Sequence, residues 1–153
     1  LCRELGMSAE EIASGVAKLQ PVPHRLQLIE SGGAYILDDG YNCNAVGARE
    51  ALLALGRFAG RKCVVTPGIV ECGVLEQALN EELGAYIAKT QPDQVILVGQ
   101  TLVGAVKRGY ERAGGRADAL ICVKTLDDAK EPIAAFLGAG DCVLFLNDLP
   151  DVY

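Results

Sequence analysis

Short runs of β-branched and other apolar residues alternate along this chain with longer stretches whose apolar positions recur at helical spacing. The runs at 62–66, 94–98, 120–123 and 142–146 read as strands, and the stretches at 46–58, 75–89, 102–113 and 126–137 read as helices. Val95-Ile96-Leu97-Val98 and Cys142-Val143-Leu144-Phe145-Leu146 are apolar throughout, as expected of parallel strands covered on both faces. Upstream, 25–29 and 34–37 flank the turn Ser31-Gly32-Gly33 and predict a hairpin, with Leu26 and Leu28 alternating as on a half-covered edge. Earlier still, Ser8-Ala9-Glu10-Glu11 has the form of a capping box. Ile12, Val16 and Leu19 follow at helical spacing, predicting a helix to about Lys18 that Gln20-Pro21-Val22-Pro23 ends. The fold class this predicts is α/β, a doubly wound, mostly parallel Rossmann-like sheet of about six strands with an N-terminal hairpin or edge strand.

Composition narrows the picture. A chain of 153 residues with 50% hydrophobic content is enough for one domain with a continuous core. The prolines at 21 and 23 mark a linker, dividing residues 1–22 from a domain at 23–153. The balance of 14 basic against 20 acidic residues, a net charge of −6, works against a nucleic-acid partner or an anionic membrane surface. It leaves room for a small anionic ligand, because a local arginine and helix N-termini hold phosphate inside a generally acidic protein. No apolar run reaches the roughly 20 residues of a membrane-spanning helix. Six cysteines without a CxxC pair, among them Cys63, Cys122 and Cys142 inside apolar runs, are expected to be buried, reduced thiols of a cytoplasmic protein. The chain starts at Leu1 in what reads as mid-helix, so a piece of a longer polypeptide is expected.

In open parallel sheets ligands bind beyond the carboxyl ends of the strands, where the following helices point their positive ends. That rule selects Asp38-Asp39-Gly40-Tyr41-Asn42-Cys43-Asn44, which leaves a strand, enters a helix, and sets two carboxylates and two amides on one edge. Local turn chemistry alone would have Asp39 and Asn42 hold the turn and Asn44 cap the next helix. The same rim receives Pro67 to Gly73 and Asn147-Asp148-Leu149-Pro150-Asp151. Cys43 lies in the first loop, partly exposed by expectation and without a cationic neighbour. His24, the sole histidine, is too isolated in sequence to anchor a metal site or a triad.

The loop Asp38 to Asn44, continued by Ala45, resembles the Asp-Asp-Ser-Tyr-Asn-Ala-Asn-Pro signature of the D-alanyl-D-alanine-adding branch of the Mur ligase family. It differs at Gly40, Cys43 and Ala45. Pro21-Val22-Pro23-His24-Arg25-Leu26-Gln27 resembles the point where these ligases leave their ATP-binding central domain, with an arginine just after the linker. Residues 95–99 and 140–144 resemble later strands of the family. The resemblance implies that Arg25 reaches the phosphates and ribose of ATP, that Asp38 or Asp39 meets the ribose hydroxyls, and that Asn42 lines the nucleotide. It further implies that Tyr41 and Asn44 face the incoming substrate. Forked donation from guanidinium to phosphate, and acceptance by carboxylate from paired hydroxyls, suit those roles.

Two loops depart from the family. Where many members carry Gly-Asp-Met-x-Glu-Leu-Gly the chain has Thr66-Pro67-Gly68-Ile69-Val70-Glu71-Cys72-Gly73, and where they carry Lys-Gly-Ser-Arg it has Asn147-Asp148-Leu149-Pro150. Glu71, Asn147 and Asp148 are substrate-contact candidates, or equally residues of surface turns. No Gly-x-x-x-x-Gly-Lys-Ser/Thr phosphate loop is present. The resemblance therefore implies a lid, inactive alone, that closes over ATP and magnesium held mainly by an upstream central domain. With that domain and an N-terminal one in the same polypeptide, it would serve a UDP-MurNAc-tripeptide and D-Ala-D-Ala. The alternatives are a Mur-like ligase with another amine donor, glutamate-amidating or peptide-polymerising, and a non-catalytic flavodoxin-like binding module. A phosphoacceptor receiver would need an aspartate where Thr66-Pro67-Gly68 stands, and a nicotinamide-binding domain would need Gly-x-Gly-x-x-Gly after its first strand; neither is present.

Overall fold

The computed structural model describes residues 1–147. Helix α1 (Ala9–Val16) begins on the reciprocal Ser8–Glu11 capping box and buries none of its residues. Six strands then form one sheet in the order β1-β2-β6-β3-β4-β5. β1 (Gln27–Ser31) and β2 (Ala34–Asp39) are the antiparallel hairpin. β3 (Lys62–Thr66), β4 (Gln94–Val98), β5 (Leu120–Val123) and β6 (Cys142–Leu146) fall where the apolar runs predict them, and each pairs parallel with its neighbours. β6 inserts between β2 and β3, in register Asp39 with Leu146 and Val65 with Phe145.

Helices α2 (Ala45–Leu55), α3 (Glu76–Thr90) and α4 (Val103–Arg112) pack on one face of this sheet, around Leu52, Leu55, Leu83, Ile87 and Tyr110. On the other face α5 (Leu126–Phe136) covers Val65, Ile96 and Val143 with Ala129 and Phe136. Both layers are thus present, three helices against one. The full burial of Val64, Val95, Leu97 and Leu144 accounts for the continuous apolar runs.

Three expectations need correction. β1 starts at Gln27 rather than residue 25, because His24 and Leu26 take left-handed backbone angles, φ 60° and 49°, that no strand accommodates. The alternation of Leu26 and Leu28 buries neither residue; Leu28 is 53% exposed. The thiols are all free, but only Cys43, Cys63 and Cys142 are buried. Cys2 and Cys122 are exposed, the latter on the edge strand β5. Among the described residues no helix is long and apolar enough to cross a membrane.

Candidate functional site

Because β2, β6 and β3 are adjacent and parallel, their carboxyl ends bring three loops together: the one after Asp39, the one after Thr66, and Asn147. Asn147 is buried and left-handed, φ 69°. Its Oδ1 accepts from the Cys43 backbone N–H at 3.0 Å and its Nδ2 donates to the Gly68 carbonyl at 2.7 Å, while its own N–H donates to the Asp39 carbonyl at 3.1 Å. This amide holds the loops in register, which corrects the view of Asn147 as a residue of a surface turn. Asp148 lies outside the described residues.

A buried residue that sequence reasoning passed over does the same for the loop after β3. Asn80 of α3 accepts from the Ile69 N–H at 2.8 Å and donates to the Ile69 and Glu76 carbonyls at 2.8 and 2.9 Å. An asparagine on the helix face shared with Leu83 and Ile87 was the available signal.

The loop of 38–44 is tied to the segment before β1. The His24 ring donates from Nδ1 to Asp38 Oδ2 at 2.8 Å, and Asp38 Oδ1 accepts from the Gly40 N–H at 3.1 Å. Asp39 Oδ1 accepts from the Leu26 N–H at 2.9 Å, and the Tyr41 N–H donates to the His24 carbonyl at 3.2 Å. Between the two left-handed residues, the Arg25 guanidinium lies 4.3 Å from the centroid of the exposed Tyr41 ring, a cation–π contact. Burial raises the Asp39 carboxyl above the usual aspartate range, and the Leu26 hydrogen bond opposes the shift without cancelling it. Burial, helped by the Asp39 charge, pushes the Cys43 thiol up to about 12. Cys43 is buried rather than partly exposed, packed beneath the loop, in keeping with a packing role for a thiol without a cationic neighbour.

Above these ties opens a cleft of about 840 Å³. Ile29, Ile36 and Phe145, with Leu126 at the start of α5, form its apolar floor, and His24, Asp38, Tyr41, Asn42 and Glu71 form its polar rim. A second cleft of about 490 Å³, lined by Asn44 and Val46 of α2, lies beyond a ridge of Asn42, Val70 and Glu71 common to both. Glu71, with φ 61°, is exposed on that ridge. Asn44 caps α2, its Oδ1 accepting from the Gly47 N–H at 2.8 Å. Of the paired aspartates, Asp38 reaches the large cleft and Asp39 is turned back to Leu26. The rim therefore gathers Asp38, Tyr41, Asn42 and Glu71, with Arg25 stacked beside it.

Residues 24–147 match the family described as Mur ligase, glutamate ligase domain. The chain is 30% identical over 98 residues, 62% of its length, to the UDP-N-acetylmuramoyl-tripeptide–D-alanyl-D-alanine ligase of Bacillus subtilis, of which it spans 21%. It is 30% identical over 103 residues, 65% of its length, to the Escherichia coli enzyme of the same name, of which it spans 22%. Its fold superposes on the crystal structure of the MurF ligase from Thermotoga maritima in complex with ADP. That match has a TM-score of 0.78 and 25% identity, covering 96% of this chain and 32% of that one. A parallel sheet whose carboxyl rim carries the acidic, amide-bearing loop, matched over residues 24–147 by the family's own domain, means that the chain belongs to the Mur ligase family through its glutamate ligase domain.

Proposed function

We propose that this domain is the closing lid of an ATP-dependent amide ligase that adds D-alanyl-D-alanine to a UDP-N-acetylmuramoyl-tripeptide. The observation that carries the reading is the placement of Asp38, Tyr41 and Asn42 on the rim of the 840 Å³ cleft with Arg25 beside them. In such a ligase a substrate carboxylate oxygen attacks the γ-phosphorus of ATP and ADP leaves. The amine nitrogen then attacks the acyl carbon, inorganic phosphate departs, and the amine gives up its proton.

The residues fit a nucleotide. An apolar floor suits a planar base, Asp38 suits paired hydroxyls, and Arg25 supplies a forked donor for phosphate. Asn42, on the ridge between the clefts, lines the nucleotide on one side; Tyr41, Asn44, Glu71 and Asn147 border the space left for substrate. In this reading magnesium is held mainly by an upstream central domain. Residues 1–22 form the tail of that domain and the linker in this reading, and 23–153 form the lid. The whole polypeptide, with an N-terminal domain as well, works in the cytoplasm, where its free thiols stay reduced. Closing the lid excludes water from the acyl phosphate, and the 153-residue chain is inactive alone.

The test is the amine dependence of ATP consumption by the full-length polypeptide with UDP-N-acetylmuramoyl-tripeptide. Stimulation by D-alanyl-D-alanine is expected. Stimulation by ammonia or by an amino acid in its place overturns the substrate assignment while keeping the ligase, and consumption by the 153-residue chain alone overturns the lid.

A further inference from the structure

We propose that His24 is a positioning residue that latches the end of the linker to the signature loop and so carries Arg25 with the domain as one rigid unit. Arg25 sits between two non-glycine residues with left-handed backbone angles, His24 at φ 60° and Leu26 at φ 49°. L-residues adopt that region only when their surroundings over-determine it. Here the surroundings are identifiable. The imidazole Nδ1 donates to Asp38 at 2.8 Å, the His24 carbonyl accepts from the Tyr41 N–H at 3.2 Å, and the Leu26 N–H donates to Asp39 at 2.9 Å. Both aspartates of the loop are thereby used to hold the chain on either side of Arg25, and the guanidinium comes to rest 4.3 Å from the Tyr41 ring centroid.

A side chain as flexible as arginine gains affinity for an anion when its backbone and its stacking partner are fixed beforehand. With the latch closed, residues from His24 onward turn with the sheet, and the rotation falls on Pro21 to Pro23. The ring also lines the 840 Å³ cleft, so the latch stands at its edge rather than behind it.

The inference rests on the lid reading only for what Arg25 binds. In the full-length polypeptide, His24→Gly removes the ring and keeps a residue that accepts the same φ without strain. His24→Asn restores a short donor on a residue that tolerates left-handed angles. Two measurements are made on each: hydrogen exchange at the Leu26 and Tyr41 amides without ligands, and KM for ATP with kcat at saturating co-substrates. His24→Gly is expected to speed both exchanges and to raise KM for ATP roughly tenfold, with a smaller fall in kcat, because Arg25 is loosened in ground and transition states alike. His24→Asn is expected to recover most of both effects. Unchanged exchange in His24→Gly overturns the latch; faster exchange with unchanged KM overturns its bearing on Arg25; no recovery in His24→Asn overturns the role of the hydrogen bond to Asp38. Wild-type protein that consumes no ATP with any amine overturns the lid reading and the ATP role of Arg25, and the exchange arm still decides the latch.

Discussion

Asp39 sits half-buried behind the loop it opens, with its carboxylate held by the Leu26 amide and with Asp38 as its neighbour in sequence. Its pKa is raised, burial being the larger cause, so the folded state prefers the neutral acid more than the unfolded chain does. The stability this contributes is fully present below the ordinary aspartate pKa and is lost as pH rises through the raised folded value. At neutral pH the charge is therefore a cost, and Asp39→Asn, which keeps an oxygen for the Leu26 N–H, is expected to raise Tm by roughly 2 °C. The gain should shrink to nothing as pH falls through the aspartate range; thermal melts of both proteins from neutral to acid pH check it, and a gain that grows toward acid contradicts the sign. Sequence alone made Asp38 and Asp39 interchangeable. Which one reaches the cleft is decided by residues 24–26, whose left-handed angles leave no trace in composition or periodicity because neither His24 nor Leu26 is glycine. Asn147 was legible as a rim residue from its place after β6, but its burial was not, since both its partners are backbone groups far away in sequence.

At the scale of elements the apolar runs located β3, β4, β5 and β6 without error in their bounds; for β3, β4 and β6 burial on both faces removes the ambiguity of period, whereas β5 lies at the edge and is only partly covered. Helix ends moved by a few residues at most. α2 begins at Ala45 because Asn44 caps it, and α3 begins after the short 3-10 turn Gly73–Leu75 rather than within it. What periodicity could not supply was the closeness of α3 and α4. Gly84 faces the Val106 carbonyl and the Tyr110 N–H across the contact, and Gly109 faces the Glu81 backbone, so the two helices meet main chain to main chain. Read as sequence, a glycine inside an amphipathic helix is only a weak point. In the fold it is a condition of packing, and a methyl group at Gly109 has backbone rather than a movable side chain to displace. Gly109→Ala, despite the better helix propensity of alanine, is expected to destabilise the domain by about 2–4 kcal/mol, read as a lowered urea midpoint. Gly104→Ala, on the same helix with open surroundings apart from the Arg108 side chain, is the control and should be neutral or slightly stabilising.

For the whole molecule, the uneven coating of the sheet sets where movement can occur. Three helices seal one face, whereas α5 alone leaves the floor of the large cleft, Ile29, Ile36 and Phe145, open toward the side on which the linker arrives. Upstream of His24 the chain makes no such ties: α1 buries nothing, and Val16, Leu19 and Val22 are exposed. Stiffness therefore changes abruptly at the Pro21-Val22-Pro23 segment, where two prolines restrict backbone angles without hydrogen bonds to the sheet. If the domain closes as a lid, that segment absorbs the rotation, and loosening it differs in kind from loosening the latch beside it. Replacing both prolines by glycine in the full-length polypeptide widens the range of domain orientations and makes the closed one rarer. On the lid reading closure would precede chemistry and also complete the nucleotide site, so kcat should fall and KM for ATP should rise together, each by roughly three- to tenfold. Unfolding of this domain should be unchanged, because none of its hydrogen-bonded elements includes residues 21–23. Steady-state kinetics beside a urea titration separate the outcomes. Unaltered kinetics in the double glycine variant would move the hinge elsewhere, and a change confined to KM would mean that the prolines merely aim Arg25 and that closure turns on another segment.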